Sequence, residues 1–175
     1  LETGDVYYFG EEVDIYEDGE IVSHEGAWLA GVDGALPGII MKGNFRVGDA
    51  YDQEVAPGIA EDRAVNVAAN HAISVPARSF DDTVVTEETT PLEPDADPGT
   101  KIYARDIGLI QDDVLELVEF DLALPYTECD LSSVGENRYF PLRPGLRLVL
   151  EGEDEDGLTN VVWEVLDETR DISFE

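Results

Sequence analysis

Residues 139–165 read YFPLRPGLRLVLEGEDEDGLTNVVWEV, and this stretch decides the fold class. Pro141, Pro144 and Gly145 block helix and mark an entry turn. Leu146, Leu148 and Leu150 then alternate with Arg147, Val149 and Glu151. A period of two is that of a strand with one buried face. Glu151–Gly157 supplies an acidic turn containing the favoured pair Asp156-Gly157, and Val161, Trp163 and Val165 resume the alternation. The loop so read is longer than two residues and leaves the register open. Each large apolar side chain buried on such a face contributes about 1.5–3 kcal/mol. A lone hairpin is marginal in water, so this one needs partner strands.

The same signals recur upstream. Val13–Tyr16 and Ile21–His24 flank Glu17-Asp18-Gly19, which predicts a second hairpin. Ile39–Met41, Ala50–Val55, Phe80–Thr90 and Lys101–Ala104 read as strands, and Ile107–Ile110 with Val114–Phe120 as a pair turning at Asp112-Asp113. Ala60–Ala72 is alanine-rich and competes as a helix, but the alternation of Arg63, Val65 and Val67 favours strand over Ala64–Ala69. Gly26–Pro37 and Pro91–Gly99 read as loops. The expected fold is therefore all-β: a curved antiparallel sheet or half-barrel built from hairpins. It divides into a β-domain over 1–121, a linker over 122–136, and a terminal hairpin segment over 137–175 that completes the sheet of the same or a neighbouring subunit.

Charge is the strongest compositional signal. The 175 residues include 41 acidic and 10 basic ones, for a formal net charge of −31. Such a surface repels nucleic-acid phosphates and anionic membranes. Two causes compete: adaptation to high salt, which screens dense charge over a few ångströms, and binding of divalent cations. The spread of acids along the whole chain favours salt. No apolar run reaches the length of a membrane span. Cys129 is the single cysteine, so no disulfide forms within the chain, and one to another chain stays open. Leu1 in place of methionine reads as the start of a mature or excised piece.

No catalytic signature stands out. G-x-S-x-G, the P-loop and G-x-G-x-x-G are missing from the sequence. His24-Glu25 has no second histidine four residues on, and His71 has no spaced partner. Asp14, Asp18-Gly19 and Glu25 fit part of a calcium loop, but Tyr16 breaks it at the third position, and an acidic hairpin is the plainer reading. Asp154 and Asp156 before Gly157 lack the first acid of that loop, and Asp95 and Asp97 sit in a solvated Pro-rich segment. These seven residues are the calcium candidates; no catalytic residue and no other cofactor is assigned. Tyr7, Tyr8, Trp28 and Trp163 read as core aromatics, with a ligand groove as the alternative.

A set of motifs carries a resemblance. Tyr7-Tyr8-Phe9-Gly10-Glu11-Glu12, His24-Glu25-Gly26-Ala27-Trp28, Gly31-Val32-Asp33-Gly34-Ala35, Pro37-Gly38-Ile39-Ile40-Met41, Val47-Gly48-Asp49, Thr90-Pro91-Leu92-Glu93-Pro94 and Tyr103…Ile107-Gly108-Leu109-Ile110 together span residues 5–120. The chain so read resembles an uncharacterised family of secreted or lipoprotein β proteins of bacteria and archaea. The resemblance implies an extracellular or cell-surface setting, a curved antiparallel sheet and no enzymatic activity. One departure is order: the segment Asn137-Arg138-Tyr139-Phe140-Pro141-Leu142-Arg143-Pro144-Gly145 opens such domains but here follows the rest. A circular permutant, a piece spanning two repeats, and a piece cut from a longer chain are all consistent with that order. The expected role is structural or assembly, including head-to-tail polymerisation by strand complementation. The alternatives are a binder of lipid or another apolar ligand, and a calcium-binding surface module.

Overall fold

The computed structural model describes residues 3–122, 137–154 and 157–168. It is all-β, 57% strand, and the described residues contain no helix. The strands are β1 (Val6–Tyr8), β2 (Gly10–Glu11), β3 (Ile15–Glu17), β4 (Glu20–Ser23), β5 (Trp28–Leu29), β6 (Gly38–Met41) and β7 (Ala50–Asp52), then β8 (Arg63–Val75), β9 (Arg78–Thr89), β10 (Gly99–Ala104), β11 (Gly108–Asp112), β12 (Leu115–Leu122), β13 (Leu146–Asp154) and β14 (Gly157–Glu164).

β7 to β14 form one eight-stranded sheet in which every strand pairs with its neighbour in sequence, and the sheet does not close into a barrel. Where the connections are short, as between β8 and β9, β10 and β11, β11 and β12, and β13 and β14, such pairing loses the least entropy on closing. Three smaller two-stranded ribbons precede it: β1–β6, β2–β5 and β3–β4. The β3–β4 turn has Asp18 at φ 51° and Gly19 at φ 83°, both left-handed, the conformation in which a tight two-residue hairpin matches strand twist.

Ala64–Ala69 is strand, within β8. Its alternation is blurred because the β8–β9 register slips between Asn66 and Ala68, Ala69 and His71, and His71 and Ile73. Each slip turns following side chains to the other face, so no single period runs through. Two turns lie elsewhere than expected. The terminal strands run on to Asp154 and resume at Gly157, leaving two residues between them rather than a loop from Glu151 to Gly157. Asp112 already pairs with Leu115, so Asp113-Val114, not Asp112-Asp113, occupy the corner, with Asp113 at φ 49°.

The central strands are buried on both faces: residues 83–86, 102–104, 107–110 and 148–150 are each buried in succession. Met41, Tyr103, Ile110, Leu117 and Leu150 are fully buried, and Leu146 and Leu148 join them as the alternation predicts; Val149, on the other face, is buried too, because that face is also covered here. A satellite cluster gathers Trp28, Ala30, Ala35 and Ala56 with Tyr8 packed against it. Tyr7 and Trp163 are not core: they are 46% and 42% exposed. β1 has only β6 beside it, and β14 is the last strand of its sheet, so neither side chain is covered from both sides.

β13 pairs with β12 of the same chain, from Glu116↔Glu151 to Leu122↔Leu146. The segment before β13 is tied to the start of the chain through buried Asn137. Its Nδ2 donates to Gly4 O at 3.0 Å and Met41 O at 3.4 Å, and its Oδ1 accepts from Tyr139 N and Phe140 N. Tyr139 Oη donates to Asp82 Oδ1 at 3.0 Å, and Arg138 O accepts from Asp106 N. Residues 123–136, with Cys129, and Asp156 lie outside the described residues.

Candidate functional site

The outer side of β14 is the most distinctive surface of the fold. Among the described residues no strand pairs with it. Its inner side pairs with β13 from Arg147↔Glu164 to Asp154↔Gly157. Leu158–Trp163 reads LTNVVW, six residues without a charge, in a chain that is 29% charged. Leu158 is 79% exposed and Val162 48%. A bare strand edge carries a row of N–H and C=O groups ready to pair, and natural edges are usually guarded by charge, proline or shortness. This edge has none of the three before Glu164.

A small apolar slot lies against the same strand. Trp163 meets Phe140 edge-on at 5.9 Å between ring centroids, and Pro141, Leu148, Gly108 and Val165 complete the walls. Its free volume is about 30 Å³, room for one small group and far short of a lipid chain.

A second surface, over β9, β10 and β11 in the middle of the sheet, is acidic. A cavity of about 260 Å³ is lined by the carboxylates of Asp62, Glu88, Glu93, Asp97, Asp112 and Asp113, with Lys101 among them. Lys101 Nζ lies 2.8 Å from Glu88 Oε2 and 4.0 Å from Asp112 Oδ2. Burial opposes the ammonium, but Glu88 and Asp112 outweigh it and hold Lys101 above the ordinary lysine value. Burial raises Asp112 while Lys101 pulls it back. Gln53, also buried, donates from Nε2 to Glu88 Oε1 at 2.8 Å, and its own Oε1 is left without a partner. Lys101 is thus an internal counter-ion that already occupies the middle of the carboxylates.

Glu54 follows β7 and faces the satellite cluster. Burial, then Asp62 and Glu11, push its carboxyl up to about 7, while Trp28 and Lys101 oppose the rise. The buried Trp28 indole N–H faces this carboxyl, close enough to favour its charged form but short of well-formed hydrogen-bond geometry. Tyr8 packs edge-on against Trp28 at 5.4 Å, and its phenol is raised by burial and by Glu11.

The calcium candidates do not converge. Asp14, Asp18 and Glu25 are exposed around the β3–β4 hairpin, and Asp14 Oδ1 lies 2.8 Å from His24 Nδ1. His24 Nδ1 is also 2.9 Å from Val13 O. Asp95 and Asp97 are exposed in the loop before β10, and only Asp97 reaches the Lys101 cavity. Asp154 ends β13. Among the described residues no three acidic, histidine or cysteine side chains are placed to hold a metal ion. His71 sits in β8 opposite Thr83, whose hydroxyl donates to His71 O at 2.6 Å. No described helix is long and apolar enough to cross a membrane.

No family model, curated protein or solved structure matches this chain.

Glu54, Glu88 and Asn137 could not have been singled out from sequence, because acids are everywhere and asparagine has no spacing rule. Lys101 had one signal, as one of the chain's two lysines beside Lys42. The uncharged run in β14 was visible too, but its position at a sheet edge was not.

Proposed function

We propose that this chain is a non-catalytic structural β-domain that associates with its own kind by adding strand to strand at β14. The carrying observation is that edge: eight residues long, uncharged through Leu158–Trp163, and uncovered by any described strand. Strand addition recruits main-chain hydrogen bonds and lets side chains set specificity. The net charge of −31 opposes bringing two copies together, so association belongs to high ionic strength, where the Debye length falls to about 3 Å at 1 M. A cell-surface setting, as the resemblance implies, fits this role. The slot beside Trp163 is too small to favour an apolar ligand, and Lys101 leaves the acidic cavity without a call for a metal ion.

Sedimentation equilibrium in 0.1 M and 2 M NaCl tests the reading. Association is expected at high salt and is weakened at low salt. Val162→Glu places a carboxylate in the uncharged run and is expected to weaken association about a hundredfold, with the melting temperature of the isolated chain little changed. A strict monomer at all salts and at millimolar concentration would overturn the proposal.

A further inference from the structure

The strand that receives β14 can be identified as well, an inference that rests on the self-association just proposed. Ala64–Ala77 is the longest run in the sequence without Asp, Glu, Lys or Arg, and it makes up most of β8. β7 pairs with β8 only at Arg63, Ala64 and Val65. The chain just before β7 reaches one residue further: Gly48 N donates to Asn66 O at 2.8 Å, and Asn66 N donates to Asp49 O at 2.9 Å. At the far end Ala77 N donates to Leu117 O of β12 at 2.9 Å. Between these ties, residues 67–75 have no partner strand on their outer side among the described residues. Ala69, Asn70, His71, Ala72 and Ser74 are exposed there.

The eight-stranded sheet thus leaves two stretches of edge open among the described residues, and both lack formal charge in a chain of net charge −31. Their surroundings differ in sign. The uncharged run of β14 ends at Glu164, and Glu153 and Asp154 on β13 lie across from its start. The run in β8 is bracketed by Arg63 and Arg78, two of only 10 basic residues. Arg63 pairs with Asp52 at 3.3 Å. Arg78 is exposed and lies over the Phe80 ring at 4.5 Å and the Phe120 ring at 5.2 Å, and it makes no ion pair among the described residues. A second β14 against the first would gather acids at both ends of the ladder. β14 against β8 sets acids near arginines whichever way the two strands run. Complementary charge of this kind selects the partner more than it adds affinity.

β8 is not a flat edge. Val67 and Asn70 are extra residues against β9, and Asn70 takes φ 53°. Bulges bend a strand and discourage indiscriminate pairing, so they restrict this edge to a strand that follows the bend. A hollow of about 410 Å³, lined by Ala72, Ile73, Ser74, Ser79, Phe80 and Asp81, lies beside it and gives room for the side chains of an added strand. We infer that β14 of one copy adds to residues 67–75 of β8 in the next, head to tail. Donor and acceptor are different surfaces, so every copy added carries a fresh edge of each kind, and the contact propagates instead of stopping at a two-fold pair.

Complementary variants of the full chain test this by sedimentation velocity in 2 M NaCl with a reductant present. Val162→Glu spoils the donor and leaves β8 intact. Ala72→Glu spoils the acceptor and leaves β14 intact. Ala69→Glu, on the same exposed edge, takes its place should thermal melts show Ala72→Glu to be misfolded. Wild type is expected to form species beyond dimer that grow with concentration. Each variant alone is expected to associate about a hundredfold more weakly. Mixed in equal amounts, the two variants are expected to recover a 1:1 dimer and nothing larger, because one intact donor meets one intact acceptor. Undiminished association of the folded acceptor variant alone would overturn β8 as the acceptor while leaving association through β14 standing. A mixture that stays monomeric, or a wild type that stops at dimer, would overturn the head-to-tail contact in the same way. A wild type that never associates would sink the reading beneath it.

Discussion

At one end of the eight-stranded sheet β14 presents eight residues; at the other, β7 covers only Arg63–Val65, and residues 67–75 of β8 have no partner strand on that side among the described residues. The short edge is guarded. Asp52 pairs with Arg63, Lys42 pairs with Asp49 at 3.5 Å and lies over the Tyr51 ring at 5.3 Å, and β6 packs alongside. Just beyond β7, Gly38 is pressed so closely onto the Gln53 carbonyl that any Cβ there would collide with it. The long edge has neither charge nor covering strand among the described residues. Among the described residues, then, the sheet is guarded where β7 lies, while β14 is left without charge or partner strand. In a protein of such charge, leaving the open end uncharged is the reverse of ordinary protection against aggregation. That contrast is the reason to assign the contact to β14.

The comparison can be attacked at its foundation first. Leu150, in the middle of β13, is fully buried between Leu117 and Val161 and supports the open edge from beneath. Leu150→Ala is expected to cost about 2–5 kcal/mol in urea denaturation. A loss below about 1 kcal/mol would mean that the terminal hairpin is not integral to the sheet.

A smaller effect is expected at the tie between the two ends of the chain. Asn137→Ala removes two donors to Gly4 and Met41 and strands the amides of Tyr139 and Phe140. The expected cost is about 2 kcal/mol, through buried groups left unpaired. Asn137→Asp keeps the two accepted bonds but loses both donated ones, so it should recover only part of that loss. Full recovery by Asp would show that the ties to Gly4 and Met41 contribute nothing.

The smallest expected effect lies on the guarded side. Glu54 has its carboxyl raised to about 7, above the ordinary value of 4.5, so it takes up a proton on folding between those values. The charged form is disfavoured in the folded protein above pH 7, and stability from this group rises as pH falls from about 7 toward 4.5. Glu54→Gln should therefore stabilise the protein at pH 8 by up to about 1 kcal/mol, after allowing for its partial exposure. The advantage should vanish by pH 4.5. Thermal melts of both proteins across that range provide the check, and a pH-independent difference would refute the assignment.

The sequence made the strands legible where leucine recurs at every second residue, as in Leu146–Leu150, and where an Asp-Gly pair turns the chain, as at Asp18-Gly19. It was least legible where pairing slips. The three irregularities in β8 break its period, and Asn70 within it takes φ 53°, neither of which any propensity announces. Trp163 shows the same limit. Its alternation with Val161 and Val165 is that of a buried face, yet it lies at the end of the sheet, with Phe140 as its aromatic neighbour.

By itself the sequence determined the all-β class, the hairpins and the acidity, because period, turn chemistry and charge are local properties of the chain. Tertiary structure alone decided that β14 is the edge among the described strands, that Asn137 bridges Gly4 and Met41, that Lys101 answers Glu88 and Asp112, and that Glu54 is hard to ionise. Each of these depends on which groups distant in sequence become neighbours. Burial and proximity set the cost of a charge or an unpaired amide, and neither is written in spacing.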